Sequence, residues 1–238
     1  MKTMLRILAG IALIQTLGHQ GRAAPDPLET WTWRNPLPQG SQLLGVACGN
    51  EMSVAVGPNG AVVNSTDGIH WLLQNSGTTD SLDAITYGNG LFVVVGRNGT
   101  ILSSPDGKAW SDHSQSPFHH FNAVTYGNHR FVAVGQKIIE SDVNLATSDD
   151  GLNWTVRTID AELPLTGVVF AHGLFVAVGC DAWGNGQFAT SLDGLTWKTQ
   201  GGAGVNSVAY GNGRFVAVGG DYYPPARMCS SQPTASTG

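Results

Sequence analysis

The chain has 238 residues, with 12 basic and 17 acidic side chains and a formal net charge of −5. That length accommodates one large domain or one repeat array, and an acidic chain with no basic stripe excludes electrostatic docking on nucleic acid or on an anionic membrane surface. Its 32 glycines, its 12% of charged residues and the lack of a long helix-forming run suit short strands joined by tight turns.

The first element reads as a processing signal. Lys2 and Arg6 flank the start of an apolar run, Ile7 to Leu17, too short to span a bilayer comfortably, and small residues at Gly21 and Ala23 suit cleavage after Ala23. Residues 1–23 are therefore expected to be removed, leaving no stable membrane span and a secreted, periplasmic or cell-envelope product. Losing Lys2, Arg6 and Arg22 takes the formal charge from −5 to −8. Cys48, Cys180 and Cys229 form an odd, irregularly spaced set with no disulfide framework, and Cys48 and Cys180 read as buried thiols.

Residues 24–40 form an N-terminal segment. Its Trp31-Thr32-Trp33-Arg34-Asn35-Pro36 has the pattern of a closing strand: the fourth strand of a unit whose first three lie elsewhere.

Residues 41–226 are an internal repeat. A Val-Gly pair ends at Gly57, Gly96, Gly135, Gly179 and Gly219, spaced by 39, 39, 44 and 40 residues, and a Trp recurs at Trp71, Trp110, Trp154 and Trp197, spaced by 39, 44 and 43. Two independent markers keep step. The punctuation of one unit predicts four strands: Leu82–Tyr87, a Gly88-Asn89-Gly90 hairpin turn, Leu91–Val95, a turn at Arg97-Asn98-Gly99, Thr100–Ser103, a Pro105-Asp106-Gly107 turn, and a last strand around Trp110. The unbroken apolar second strand signals a sheet covered on both faces. Four-stranded antiparallel units repeated in series predict an all-β propeller of about five blades, the last incomplete or closed by the N-terminal strand, or a fragment of a larger propeller.

Each of the first four units carries Ser-x-Asp-Gly-x-x-Trp, with the pairs Asp67/Trp71, Asp106/Trp110, Asp150/Trp154 and Asp193/Trp197. The Asp accepts backbone N–H groups in its own turn, Gly supplies the conformation other residues resist, and the Trp is expected to fold over the adjacent blade. Full burial of an indole would be worth about 4–6 kcal/mol gross, against about 1 kcal/mol for each turn hydrogen bond. The Trp is therefore expected to hold the blade and the Asp to shape the turn. His119-His120 makes a poor metal pair, since neighbours on a strand face opposite ways.

These segments resemble a shortened Asp-box, the bacterial neuraminidase (BNR) repeat of sialidase-like propellers, over Leu43 to about Gly219. The resemblance implies a β-propeller whose boxes are structural turns away from the active face. Similar noncatalytic propellers include the photosystem II assembly-factor-like group. A catalytic sialidase-type site would need an arginine cluster, a Tyr–Glu nucleophile pair and an acidic proton donor. None is identifiable here: Arg130 and Arg214 are equivalent repeat positions, and Tyr87, Tyr126 and Tyr210 are repeat residues.

The segments that vary between units are the turns between strands two and three and the links between units, where binding on a rigid scaffold concentrates. Arg97, Asp142, Asp181, Trp183, Tyr222 and Tyr223 are the ligand-binding candidates there. The expectation is an exported noncatalytic binding scaffold for an unknown protein or glycan, with no cofactor and no catalytic residue. A sialidase-like glycoside hydrolase and a nonfunctional fragment are the alternatives. The last of these arises from residues 227–238, where the repeat pattern vanishes. Met228–Gly238 can be written in codons that, two bases along, encode Val-Leu-Ile-Thr-Ala-Asp-Gly-Val-Asn-Trp, the third strand and box the fifth unit lacks. A frameshift is the expectation, and the gene's nucleotide sequence tests it.

Overall fold

The computed structural model describes residues 42–115, 119–137, 143–159, 161, 163–181 and 184–219. Among them, strands fall into five separate antiparallel sheets and there is no α-helix. The first sheet holds β1 (Gly45–Gly49), β2 (Met52–Val56), β3 (Ala61–Ser65) and β4 (Leu72–Asn75). The second holds β5 (Leu82–Gly88), β6 (Leu91–Gly96), β7 (Ile101–Ser104) and β8 (Ser111–Asp112). The third holds β9 (His119–Gly127), β10 (Arg130–Lys137), β11 (Val143–Ser148) and β12 (Thr155–Ile159). The fourth holds β13 (Gly167–Ala171), β14 (Leu174–Cys180), β15 (Asn185–Ser191) and β16 (Lys198–Ala203), and the fifth β17 (Ser207–Gly211) and β18 (Arg214–Val218). Strands pair in sequence order within every sheet, as hairpin-linked meanders do. The expected N-terminal closing strand and the tail at 227–238 lie outside the described residues.

Each first hairpin turns on two residues of left-handed conformation, the signature that lets strand twist continue through a tight turn. Asn89 and Gly90 have φ of 49° and 79°, and Asn128 and His129 take the same path at 47° and 59° without a glycine. The first strand of each sheet packs against the first strand of the next, from β1 through β5, β9 and β13 to β17. The sheets are therefore arrayed around their first strands, with the fourth strands outermost.

The second strands form the core. Val54 and Val56 of β2 and Phe92 through Val95 of β6 are fully buried, as are Phe131 through Val134 of β10. Each apolar cluster joins two consecutive units: Val54, Val56 and Val62 meet Phe92, Val94 and Leu102, and Val93, Val95 and Ile101 meet Phe131, Ala133 and Ala146. The next clusters join units three and four, then units four and five.

A cross-strand ring pair fronts each unit from the second onward. Tyr87–Phe92, Tyr126–Phe131, Phe170–Phe175 and Tyr210–Phe215 lie with centroids 4.5–4.9 Å apart. The first unit has Cys48 and Ser53 at this paired position, Sγ and Oγ 3.2 Å apart. Cys48 is exposed, contrary to its reading as a buried thiol, because no ring replaces it as cover; Cys180 is partly buried, and both are free. The tryptophans also differ from expectation. They are half-buried, since they lead into the outermost strand, and Trp154 and Trp197 lie against the Phe of their own unit, at 6.2 Å from Phe131 and 6.3 Å from Phe175. They still close the cluster shared with the preceding unit, as Trp110 does, whereas Trp71 belongs to none.

Candidate functional site

Antiparallel order puts the first hairpin turns and the Ser-x-Asp-Gly-x-x-Trp turns at one end of each four-stranded sheet. The two-to-three turns and the links between units lie at the other end. Chemistry differs between the two faces.

On the first face, the four carboxylates are occupied by their own turns. Ser65, Ser104, Ser148 and Ser191 each accept the N–H of the turn glycine at 2.8 Å and donate to the neighbouring Asp Oδ1 at 2.9–3.1 Å. Each Asp Oδ1 then accepts the next two backbone N–H groups, at 2.8 and 2.7 Å for Asp67, 2.9 and 3.1 Å for Asp106, and 2.8 Å throughout for Asp150 and Asp193. These donors hold the carboxyls below their ordinary range. Asp193 falls to about 2 through the Thr196 and Leu195 N–H groups; Asp106 falls through those of Lys108 and Ala109. Asp67 falls well below the usual carboxylate range through the His70 side chain and backbone, and Asp150 through the Asn153 backbone and side chain.

The same turns latch one unit to the next. Arg130 donates to Asp149 Oδ1 at 2.7 Å and, across the junction, to the Asp193 carbonyl at 2.5 Å, and Asn128 donates to the Leu192 carbonyl at 3.3 Å. Trp71, Trp154 and Trp197 donate Nε1 to the glycine carbonyl of their own turn. At Trp110 that carbonyl, on Gly107, is taken by the buried Asn64 amide of the first unit at 3.0 Å, and the Trp110 N–H has no partner. An open cleft of about 290 Å³ lies on this face between Arg130, Arg157, Asn153, Thr155 and Leu195.

On the second face, Arg97 sits in a 3-10 turn, Arg97–Gly99, with a side chain 64% exposed and Nε 3.9 Å from Asp83 Oδ2. Asp80 organises the same corner, accepting Asn98 Nδ2 at 2.7 Å and Thr100 Oγ1 at 3.2 Å. Asp181 closes its own turn instead, accepting the Asn185 N–H at 2.9 Å and the Asn185 amide at 2.7 Å. The structure does not bring Arg97 and Asp181 together. Asp142, Trp183, Tyr222 and Tyr223 lie outside the described residues.

A set of polar residues that the sequence reading passed over stands at this end of the first strands. An irregularity in pairing falls at Asp83 in unit two and at Asn122 in unit three. The matching N–H groups of Thr166 and Asn206 reach the Val178 and Val218 carbonyls at 2.8 Å. Bulges of this kind re-aim a side chain at the rim of a closed sheet array. Each polar residue follows a fully buried apolar anchor: Leu82, Phe121, Leu165 or Val205. Asn122 donates to the Leu165 carbonyl of the next unit at 2.9 Å, and Thr166 Oγ1 to the Asn206 carbonyl at 2.9 Å. Asn206 Oδ1 accepts the Cys180 thiol at 2.7 Å, and burial pushes that thiol up. The signal is an apolar–polar–small triplet opening units two to five: Leu82-Asp83-Ala84, Phe121-Asn122-Ala123, Leu165-Thr166-Gly167 and Val205-Asn206-Ser207.

The fold and this repeated rim define an all-β propeller-type repeat protein. No protein-family model matches the chain, and no curated protein sequence is significantly similar to it. Among solved structures, the chain is similar to YCF48 bound to D1 peptide, at 17% identity and a TM-score of 0.58 over 76% of this chain and 62% of that one. It is similar to YCF48 from Cyanidioschyzon merolae at 19% identity and a TM-score of 0.58, over 77% and 65% of the two chains. A GH74 enzyme from Niastella koreensis shares 14% identity and a TM-score of 0.55, over 70% of this chain and 33% of the enzyme. The chain thus spans less than two thirds of the YCF48 chains, and at these identities the likeness is one of fold.

Proposed function

We propose that this is an exported, noncatalytic propeller scaffold of the Asp-box type that binds a segment of a partner protein on the face carrying the two-to-three turns. One observation carries the reading. The box carboxylates Asp67, Asp106, Asp150 and Asp193 on the opposite face are held by their own turns, whereas the rim formed by Asp83, Asn122, Thr166 and Asn206, each bonded within its unit or to a neighbouring one, lines up polar side chains from four consecutive units beside the exposed Arg97 guanidinium. Such a row suits an extended peptide, whose backbone presents alternating donors and acceptors. Arg97 retains a largely exposed guanidinium, which only a distant ion pair engages. Among the similar folds, YCF48 is described bound to a peptide, which supports a protein ligand here.

Selection of a displayed peptide library on the purified chain tests this. Enrichment should be lost on Arg97→Ala or Asn206→Ala and kept on Lys108→Ala, which lies on the other face. Enrichment insensitive to Arg97 and Asn206, or turnover of a panel of fluorogenic glycosides, would remove the reading.

A further inference from the structure

We propose that the outer face of the fifth sheet is a seat for a further sheet of this repeat type. That sheet must carry an aromatic ring at the position of Tyr87 and a Phe at the position of Phe92. The chain makes one glycine–ring contact three times, replaces it in the fourth unit and leaves its socket open in the fifth. In units one to three the last residue of the first strand is a bare glycine under the leading ring of the next unit. A Cβ on Gly49 would stand 2.1 Å from Tyr87 Cγ, one on Gly88 2.1 Å from Tyr126 Cγ, and one on Gly127 2.0 Å from Phe170 Cγ. In the fourth unit Ala171 replaces the glycine, and Tyr210 lies beside His172 instead, with ring centroids 5.1 Å apart. The fifth unit restores the glycine as Gly211, and among the described residues nothing lies within 4 Å of where its Cβ would stand.

The valines of the same face agree. Val93 and Val95 of β6, and Val132 and Val134 of β10, are fully buried against the following unit. Their counterparts in β18, Val216 and Val218, are 54% and 57% exposed. The other face of β18 is occupied, since Ala217 and Phe215 join the cluster shared with the fourth unit. The fifth sheet is thus finished on the side of its predecessor and shaped on the other side to receive a ring pair.

The first unit of this chain does not supply that pair. Cys48 and Ser53 occupy the ring positions, and a Cβ on the turn glycine Gly68 would meet nothing within 4 Å among the described residues, whereas one on Gly107, Gly151 or Gly194 would meet a side chain of the preceding unit. For the same reason a second copy presents no match. The rings of units two to five are engaged within the chain, and its first unit offers a thiol and a hydroxyl.

Thiol labelling of Val216→Cys, read by peptide mass spectrometry, is the test. In the natural chain the new thiol should react quickly and at a rate independent of protein concentration. An extended chain, with residues 220–238 replaced by a copy of residues 97–137, supplies the third and fourth strands of unit five and a following hairpin bearing the copied Tyr126 and Phe131. Labelling should then slow by about tenfold or more, and Ala at both copied ring positions should restore the fast rate. Protection already present in the natural chain would overturn the proposal. Concentration-independent protection would show the chain's own first sheet or termini on the face, and protection that grows with concentration would show a second copy. Fast labelling of the extended chain would overturn it equally. A measurement on the natural chain alone stands beside this one: Gly211→Ala should leave Tm unchanged while Gly88→Ala lowers it. A drop from Gly211→Ala matching that of Gly88→Ala would show the socket already filled.

Discussion

At the scale of single residues, a carbonyl oxygen explains the most regular feature of the sequence. The glycine after the valines of each second strand faces the backbone at the entry to its own first strand. A Cβ on Gly96 would lie 1.9 Å from Ser81 O, and one on Gly135 1.8 Å from His120 O. The obstacle is backbone, so no side chain can swing aside to relieve it. Gly135→Ala is expected to cost roughly 1–3 kcal/mol, the range of overpacked sites, measured as a lower urea midpoint with an unchanged slope. The turn carboxylates act more weakly. Asp193, lowered from 3.8 to about 2, favours the folded state above the unfolded pKa, and that contribution disappears as pH falls through the folded value. Its effect is therefore constant from neutrality to about pH 4 and is lost between about pH 4 and pH 2. Exposure and salt keep it small. Asp193→Asn, which retains an acceptor oxygen, should melt below the wild type at pH 6 and converge with it at pH 2; parallel curves down to pH 2 would assign the turn's stability to hydrogen bonds alone.

At the scale of elements, the strands were legible because each carries its own punctuation. The expected strands Leu82–Tyr87 and Leu91–Val95 became β5 (Leu82–Gly88) and β6 (Leu91–Gly96), and the hairpins turn where Asn-Gly marked them. Tryptophan burial was less legible. Motif identity says that a large apolar ring is present, but how much of it leaves water depends on which strand lies outermost, a property of the assembled sheet. The four indoles consequently differ in weight. Trp197 packs on Phe175 within the cluster joining units three and four, so Trp197→Ala should cost roughly 2 kcal/mol, about half the loss for a fully buried indole. Trp71 contributes to no cluster, and its unit has Ser53 rather than Phe at the ring position. Trp71→Ala should cost under about 1 kcal/mol, and equal losses at the two positions would contradict this ranking. The rim residues were hidden for a related reason: a bulge is a slip in pairing register, and alternation along one strand does not record where its partner slips. Asp83, Asn122, Thr166 and Asn206 are distinguished only once β5 and β9 are aligned with β6 and β10 and the N–H groups of Thr166 and Asn206 are traced to their acceptors.

For the whole molecule, stability in a serial array is a sum over units and the junctions between neighbours, so a unit with fewer junctions opens first. The second, third and fourth sheets each share an apolar cluster with a neighbour on both sides. The first and fifth sheets each share one, but the first has four strands and the fifth only two described strands, joined through Val205 and Ala217 while Val216 and Val218 meet solvent. Roughly 25 cal/mol per Å² of apolar surface then separates a junction made from one unmade, several kcal/mol for a face carrying two valines and a ring socket. Amide hydrogen exchange on the natural chain should therefore be fastest in β17–β18 and slowest in β6 and β10, whose second strands are covered on both faces. The order should persist in mild urea, with the fifth sheet exchanging by local opening and the middle sheets only by global unfolding. Equal protection across all five sheets would mean that β17–β18 is held as tightly as the interior units, which one junction cannot supply.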